Sequence, residues 1–432
     1  MRFFFPDSQD LVDPSFDFET EERSALRTRH RDDEYAHEVF ASPPFDGLLV
    51  SKGMVDGFAE NGSRYSIAQR HRLLRVGAPR FFRVPPESPF PIMGDCGAFA
   101  YVREHLPPYT VGDVLQFYVD CRFDFGISVD HIILEYHQRW DNLLPGIAIP
   151  EELRFRQDVT LDLADQFLQA HREARLSFEP LGVAQGWSPR SYADSVQRLQ
   201  GMGYGYIAVG GLVPLKTKDI LSCLEAIKAV RRPETRLHLL GVTRTDQVES
   251  FAAYGVVSFD STSPLRQAFK DDRDNYYTLD RAYTAIRIPQ VEGNPRLQRR
   301  IRAGQVSHEA ARRLEQKCLA TFKAFDSGTT SIEHLLEVLH HYEELYDPGA
   351  DRRAVYRETL EAEAWKSCLC EVCRALGYHV ILFRGAERNR RRGFHNLWVF
   401  YRRLHRELGH EVEVAAGLPL RYNVSTPGRI LV

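Results

Sequence analysis

The sequence predicts an α/β fold, a (β/α)8 TIM-type barrel with a helical insertion and a C-terminal Cys3His zinc-binding subdomain. Three observations carry that expectation. From Phe45 to Arg266 short apolar runs alternate with amphipathic helical stretches, as in a parallel α/β sheet. No Gly-x-Gly-x-x-Gly follows an early strand, and Gly201-x-Gly203-x-Gly205 precedes a strand without opening a helix, so it reads as a turn and not as a dinucleotide site. Near the carboxyl end Cys368-x-Cys370-x2-Cys373 is followed by His395, three thiolates and an imidazole at tetrahedral zinc spacing.

In chain order, strands are expected at Gly47–Ser51, Phe90–Met93, Phe125–Ile132, Leu181–Ala184, Tyr206–Val209, Leu237–Gly241 and Val256–Phe259, with an eighth at His379–Phe383. Between them Val111–Cys121, opened by Thr110 and Asp113, and Tyr192–Met202, behind a Ser-Pro turn, read as helices. From Phe269 to Trp365 the chain turns polar and helix-rich, with helices expected at Ser307–Phe325, Ser331–Tyr346 and Ala354–Trp365. In the second of these, Ile332, Leu335, Leu336, Leu339, Tyr342 and Leu345 make an apolar stripe behind a Thr330/Glu333 capping box, the mark of a packing face. The expected organisation is an N-terminal extension (1–44), the main part of the catalytic barrel (45–266), the helical insertion (267–365), and a zinc-binding subdomain with closing barrel elements (366–432).

Composition narrows the function classes. A chain of 432 residues with 43% hydrophobic content can build a large core, but no apolar run approaches a membrane span. The opening Met1–Asp7 is too short for a secretory signal, and Cys96, Cys121, Cys223 and Cys318 are scattered singly, so a cytoplasmic protein without a disulfide framework is expected. A net charge of −3 conceals a basic run. Arg384, Arg388, Arg390, Arg391, Arg392, Arg402, Arg403 and Arg406 surround His395 against the single acid Glu387. Beside a zinc clip this run, above all Arg388, Arg390, Arg391 and Arg392, is expected to contact nucleic-acid phosphates; Arg296, Arg299, Arg300 and Arg302 form a smaller group that reads either as another such surface or as an exposed turn. The zinc itself is structural, because four protein ligands leave no open position.

Chemistry is therefore expected at the strand ends, where barrels keep it. Asp95, Gln185 and Asp260 each follow the end of an expected strand, and Asp130 lies near the end of another. Two of the carboxylates can divide the cleavage of a glycosidic bond, one attacking the anomeric carbon while the other moves protons. The remaining Asp and Gln can read the edge of a planar heterocycle, with bare backbone amides offered by Gly210-Gly211-Leu212.

These residues resemble, in order, the motifs of the tRNA-guanine transglycosylase superfamily, zinc-bearing barrels that exchange guanine in nucleic acid for a 7-deazaguanine. Gly94-Asp95-Cys96-Gly97-Ala98-Phe99 is similar to the family's Asp-Ser-Gly-Gly-Phe, implying Asp95 as general acid/base. Asp130 and Gln185-Gly186 resemble the base-recognising positions, and Gly210-Gly211-Leu212 is identical to the family's Gly-Gly-Leu. Gly255–Ser261 resembles the segment that carries the nucleophile, implied here to be Asp260; Cys368, Cys370, Cys373 and His395-Asn396-Leu397 match the zinc motif. Cys96 and Ala98, Val213-Pro214, Ser263–Arg266 and the insertion of roughly ninety residues before Cys368 depart from the tRNA enzymes and resemble the DpdA-type branch, the DNA-guanine transglycosylases. That branch implies insertion of 7-cyano-7-deazaguanine (preQ0) into DNA, with companion proteins, an ATPase among the candidates. The alternatives are a tRNA-guanine transglycosylase and a noncatalytic, zinc-stabilised nucleic-acid-binding subunit.

Overall fold

The computed structural model describes all residues except 58–61, 88, 142–147, 243, 245–246, 271–272 and 410–432. The chain divides into two compact units: residues 1–9, 45–262 and, among the described residues, 404–409 in the first; residues 10–44 and 263–403 in the second. The end of the expected 366–432 subdomain lies outside the described residues.

The first unit is a closed barrel of eight parallel strands in sequence order: β1 (Arg2–Pro6), β2 (Gly47–Ser51), β3 (Ile92–Asp95), β4 (Phe125–Ile127), β5 (Glu179–Ala184), β6 (Tyr206–Val209), β7 (Arg236–Leu239) and β8 (Val256–Asp260). The eighth strand is a correction. It is β1, inside the segment expected to be an extension, and it pairs with β2 (Phe4↔Gly47) and with β8 (Phe4↔Asp260). Phe3, Phe4 and Phe5 are all buried, as a parallel strand covered on both faces requires, and full burial of one such side chain stabilises by roughly 1.5–3 kcal/mol. The segment His379–Phe383, expected to close the barrel, instead ends a 3-10 turn and supplies Leu382–Phe383, which pairs with Ile286–Arg287 in the second unit.

Phe4, Leu49, Met93, Phe125, Ile127, Leu181, Val183, Tyr206 and Ala208 fill the barrel interior. Outside it, the helix Val111–Cys121 lays Tyr118 over β3 and β4. A Cβ at Gly94 or Gly126 would come within 2.5–2.7 Å of the rings there, so glycine admits the helix at close range. That helix begins as the sequence predicts: Thr110 Oγ1 accepts from the Asp113 amide at 3.1 Å and the Asp113 carboxylate accepts from the Thr110 amide at 3.0 Å.

Strand β4 is shorter than expected. It stops at Ile127 because the Ser128 hydroxyl, not a backbone carbonyl, accepts the Val183 amide at 3.1 Å, which leaves Ser128–Asp130 irregular.

The second unit is largely helical. Helices His308–Asp326 and Ile332–Tyr346 pack together through Phe322, Leu335, Leu336, Leu339 and Tyr342, which makes the expected stripe a packing face. The cap of the second helix is Ser331, whose hydroxyl accepts the His334 amide at 3.2 Å, in place of the Thr330/Glu333 pair. The third expected helix is broken at Glu363, whose φ of 39° is left-handed, into Arg353–Ala362 and Ala364–Ser367.

Candidate active site and metal centre

Parallel strands of one barrel put all their carboxyl ends on one face, and the polar residues at those ends converge there. Asp95 ends β3 opposite Ser51, which ends β2, and its carboxylate is hydrogen-bonded by the Ser51 side chain and the Gly97 amide. Burial, then the negative charges of Asp130 and Asp260, push the Asp95 carboxyl up to about 7 against those two bonds. A carboxyl in that range exchanges its proton near neutral pH, as a general acid/base must.

Asp130 is 2% exposed. Its Oδ1 accepts from the Cys96 thiol at 3.1 Å and its Oδ2 from Gln185 Nε2 at 2.7 Å. Burial raises the Asp130 carboxyl, and these two donors pull it back. Burial and the charges of Asp130 and Asp95 also hold the Cys96 thiol well above its ordinary range, so it stays protonated and able to donate.

The Gly-Gly pair has a steric part in placing Gln185. A Cβ on Gly210 would stand 2.3 Å from Gln185 Nε2, and Gly211 combines a φ of 72° with an approach of 2.4 Å between such a Cβ and the Ile133 carbonyl. The two glycines therefore make room for Gln185 to lie across to Asp130, while its Oε1 accepts the Ile133 amide at 3.2 Å. Leu212, 1% exposed, packs behind them.

Asp260 ends β8. Its Oδ1 accepts from the Gly241 amide at 3.0 Å and faces His238 Nε2 at 3.2 Å, which leaves Oδ2 without a hydrogen bond among the described residues. A carboxylate can only accept, so Nε2 donates. On the other side of the ring, Nδ1 lies 2.6 Å from Ser258 Oγ, which is in turn hydrogen-bonded to the Tyr206 hydroxyl. This Tyr206–Ser258–His238–Asp260 chain, buried in the barrel, was not read from the sequence. The signal was present: His238 interrupts the apolar run of β7, and Ser258 and Asp260 are two apart in β8 and share a face.

In the second unit Cys368, Cys370, Cys373 and His395 gather their ligand atoms within 4.8 Å of one another. The three Sγ atoms stand 3.6, 3.4 and 3.3 Å from His395 Nδ1. The other ring nitrogen lies 2.7 Å from the Tyr277 carbonyl, the Tyr276 ring stacks on the imidazole at 4.2 Å, and Asn396 Oδ1 accepts the Tyr277 amide at 2.9 Å. A histidine held from behind in this way presents Nδ1 to a metal ion, and the four side chains together could hold one.

The basic run is corrected. Arg388, Arg391 and Arg392 are 2%, 1% and 0% exposed. Arg388 pairs with Glu21, Arg391 donates to the Asp13 carbonyl at 2.8 Å, and Arg392 donates to the carbonyls of Ala268 at 2.6 Å and Leu382 at 3.0 Å. These side chains tie the unit together and turn no phosphate-binding face outward. Arg390, beside Glu387 at 3.4 Å, keeps part of its surface exposed.

No protein-family profile matches the chain. A curated protein named DNA-guanine transglycosylase, from Salmonella montevideo, is 47% identical over 408 residues, which cover 94% of this chain and 96% of that protein. At that identity and coverage, with a closed eight-stranded parallel barrel and a Cys3His group in the expected order, the chain belongs to the DNA-guanine transglycosylase family of the tRNA-guanine transglycosylase superfamily.

Proposed function

We propose that the chain is a pentosyltransferase that exchanges guanine in DNA for preQ0 through a covalent Asp260-glycosyl intermediate. The observation that carries this reading is the pairing of two carboxyls held differently at one barrel mouth: Asp95, raised to about 7, and Asp260, with Oδ1 fixed by two donors and Oδ2 without a hydrogen bond among the described residues. Oδ2 attacks C1′ of the target deoxyguanosine, the C1′–N9 bond breaks, and Asp95 supplies the proton that leaves with guanine. preQ0 then enters, Asp95 takes its N9 proton, N9 attacks C1′, and Asp260 leaves as a carboxylate. Two inversions retain configuration at the sugar.

Asp130 and Gln185, a buried acceptor and an amide, suit the donor-rich edge of guanine and of a 7-deazaguanine, with Gly210, Gly211 and Leu212 shaping the wall. The target base has to leave the stack to reach them, at a cost of about a few kcal/mol.

Zinc fits the Cys3His group. Bond lengths of about 2.3 Å to sulfur and about 2.05 Å to nitrogen at tetrahedral angles separate S from N by roughly 3.6 Å, and the Sγ–Nδ1 distances are 3.3 to 3.6 Å. Its role is to hold the fold of its unit. Cys96, Cys121, Cys223 and Cys318, all buried as free thiols, suit the cytoplasm.

The test is an exchange assay on guanine-containing DNA and on tRNA in parallel, with excess preQ0 and nucleoside mass spectrometry, using the wild-type chain and Asp260→Asn. Modified deoxynucleoside and a protein–DNA adduct with the wild type, both lost in D260N, are expected. Modified ribonucleoside alone would move the chain to tRNA, and salt-sensitive binding without exchange or adduct would make it a binding subunit that needs a companion protein.

A further inference from the structure

The burial of Arg388, Arg391 and Arg392 removes most of the surface that the sequence offered for the nucleic-acid backbone, and another stands in the barrel unit. Residues 62–86 contain six arginines and one histidine and no aspartate or glutamate, in a chain whose net charge is −3. Arg64, Arg70, His71, Arg72, Arg75 and Arg80 are all exposed. Among the described residues Arg64, Arg72, Arg75 and Arg80 form no ion pair. Arg72 lies over the Phe81 ring at 5.6 Å, and Arg70 shares Asp56 with Lys52. On the neighbouring helix Asp113 and Asp120 are hydrogen-bonded by Thr110 and Gln116 and form no ion pair with these arginines among the described residues.

The position of this surface is set by the rim of the barrel. The helix Ile67–Val76 follows β2, and its start is tied to the strand ends that carry the active site. The Tyr65 hydroxyl donates to Asp7, just past β1, and Gln69 Nε2 donates to Gln9 Oε1 at 2.7 Å. Gly53, between β2 and this helix, donates its amide to the Cys96 carbonyl at 3.2 Å, directly behind Asp95. From the rim the helix descends the outside of the barrel over its ten residues, about 15 Å, a length that spans four to five phosphate steps of one DNA strand at about 3.4 Å each. Arg72 and Arg75 share one side of the helix and Arg80 follows in the next.

We infer that this arginine surface, Arg64 to Arg80, holds the DNA backbone beside the base that enters the barrel mouth. The inference rests on the DNA reading above. A strand whose base is drawn into the mouth must cross the rim within a few nucleotides of that base. A segment without acids that begins at the rim and exposes four arginines without ion pairs among the described residues matches the charge of that strand and needs no base-specific contact.

The test measures binding of a short guanine-containing DNA duplex to the full chain by fluorescence anisotropy between about 50 and about 200 mM KCl. Arg75→Gln/Arg80→Gln is compared with Arg312→Gln/Arg313→Gln, which removes the same charge from the second unit, where the two arginines pair with Glu292 and Glu309. The first double variant is expected to lower the slope of log K against log salt by about two, at about 0.9 per phosphate contact, while the second leaves it unchanged. An unchanged slope in the first, or an equal drop in both, overturns the surface. Wild-type protein that binds no DNA refutes the DNA reading itself, which is a different result from binding with an unaltered slope.

Discussion

Asp95 should cost the folded protein stability, and replacing it should show how much. Its carboxyl is raised from 3.8 to about 7, chiefly by burial and then by the charges of Asp130 and Asp260. At roughly 1.4 kcal/mol per unit, the cost of ionising Asp95 in the folded barrel is about 4 kcal/mol above pH 7. The folded chain binds this proton more tightly than the unfolded chain does, so between about pH 4 and about pH 7 rising pH strips the proton from unfolded molecules first and stability falls. Asp95→Asn cannot ionise. Its stability relative to wild type should therefore climb by about 1.4 kcal/mol per pH unit across that window and level off above about pH 7. Loss of the bonds from Ser51 and Gly97 adds an offset that does not vary with pH, so the slope carries the information. Chemical denaturation of both proteins at several pH values from about 4 to about 8.5 measures it. A stability difference independent of pH would mean that Asp95 titrates as an ordinary surface carboxyl, and the argument for it as a general acid/base at neutral pH would fall with it.

Other substitutions probe the remaining parts. His238→Ala removes one of two donors to Asp260 Oδ1; a hydrogen bond to a charged group contributes about 1.5–3 kcal/mol, so single-turnover exchange should slow about 10- to 100-fold with DNA affinity unchanged, and an undiminished rate would dismiss the Tyr206–Ser258–His238 chain as packing. Cys370→Ser should release zinc, measured by metal analysis of the purified chain, and lower the melting temperature; full zinc content in the variant would refute the ligand assignment. Arg392→Ala should lower stability by about 3 kcal/mol, because several buried carbonyls lose their donor, while leaving the salt dependence of DNA binding intact; a reduced salt slope would restore Arg392 to the phosphate surface.

The reach of the sequence follows from the range of the interactions involved. Six of the eight strands and the Thr110 cap were legible within one or two residues because hydrophobic runs and capping residues are local signals. The Cys3His group was legible because three of its ligands lie within six residues and a thiolate cluster has few other uses. Asp95, Gln185 and Asp260 were found at strand ends for the same reason, since a parallel barrel sends every strand end to one face whatever the loops do. Asp130 was found from a strand that turned out to stop three residues earlier.

What required the tertiary structure is whatever depends on partners distant in sequence. Phe3–Phe5 became a barrel strand only through its register with β2 and β8, the latter more than 250 residues away. His238 reaches Asp260 because β7 and β8 align His238 with Ser258 across a local shift of register. Most plainly, an arginine run reads the same in sequence whether it is solvated or buried. Here Glu21 and the Asp13 carbonyl arrive from more than 360 residues upstream to enclose Arg388 and Arg391, while Arg64, Arg72, Arg75 and Arg80 form no ion pair among the described residues and stay exposed. Composition along the chain determined where charge is plentiful; the fold determined where it is neutralised, because burying a charge is tolerable only beside a partner that the chain must bring from elsewhere.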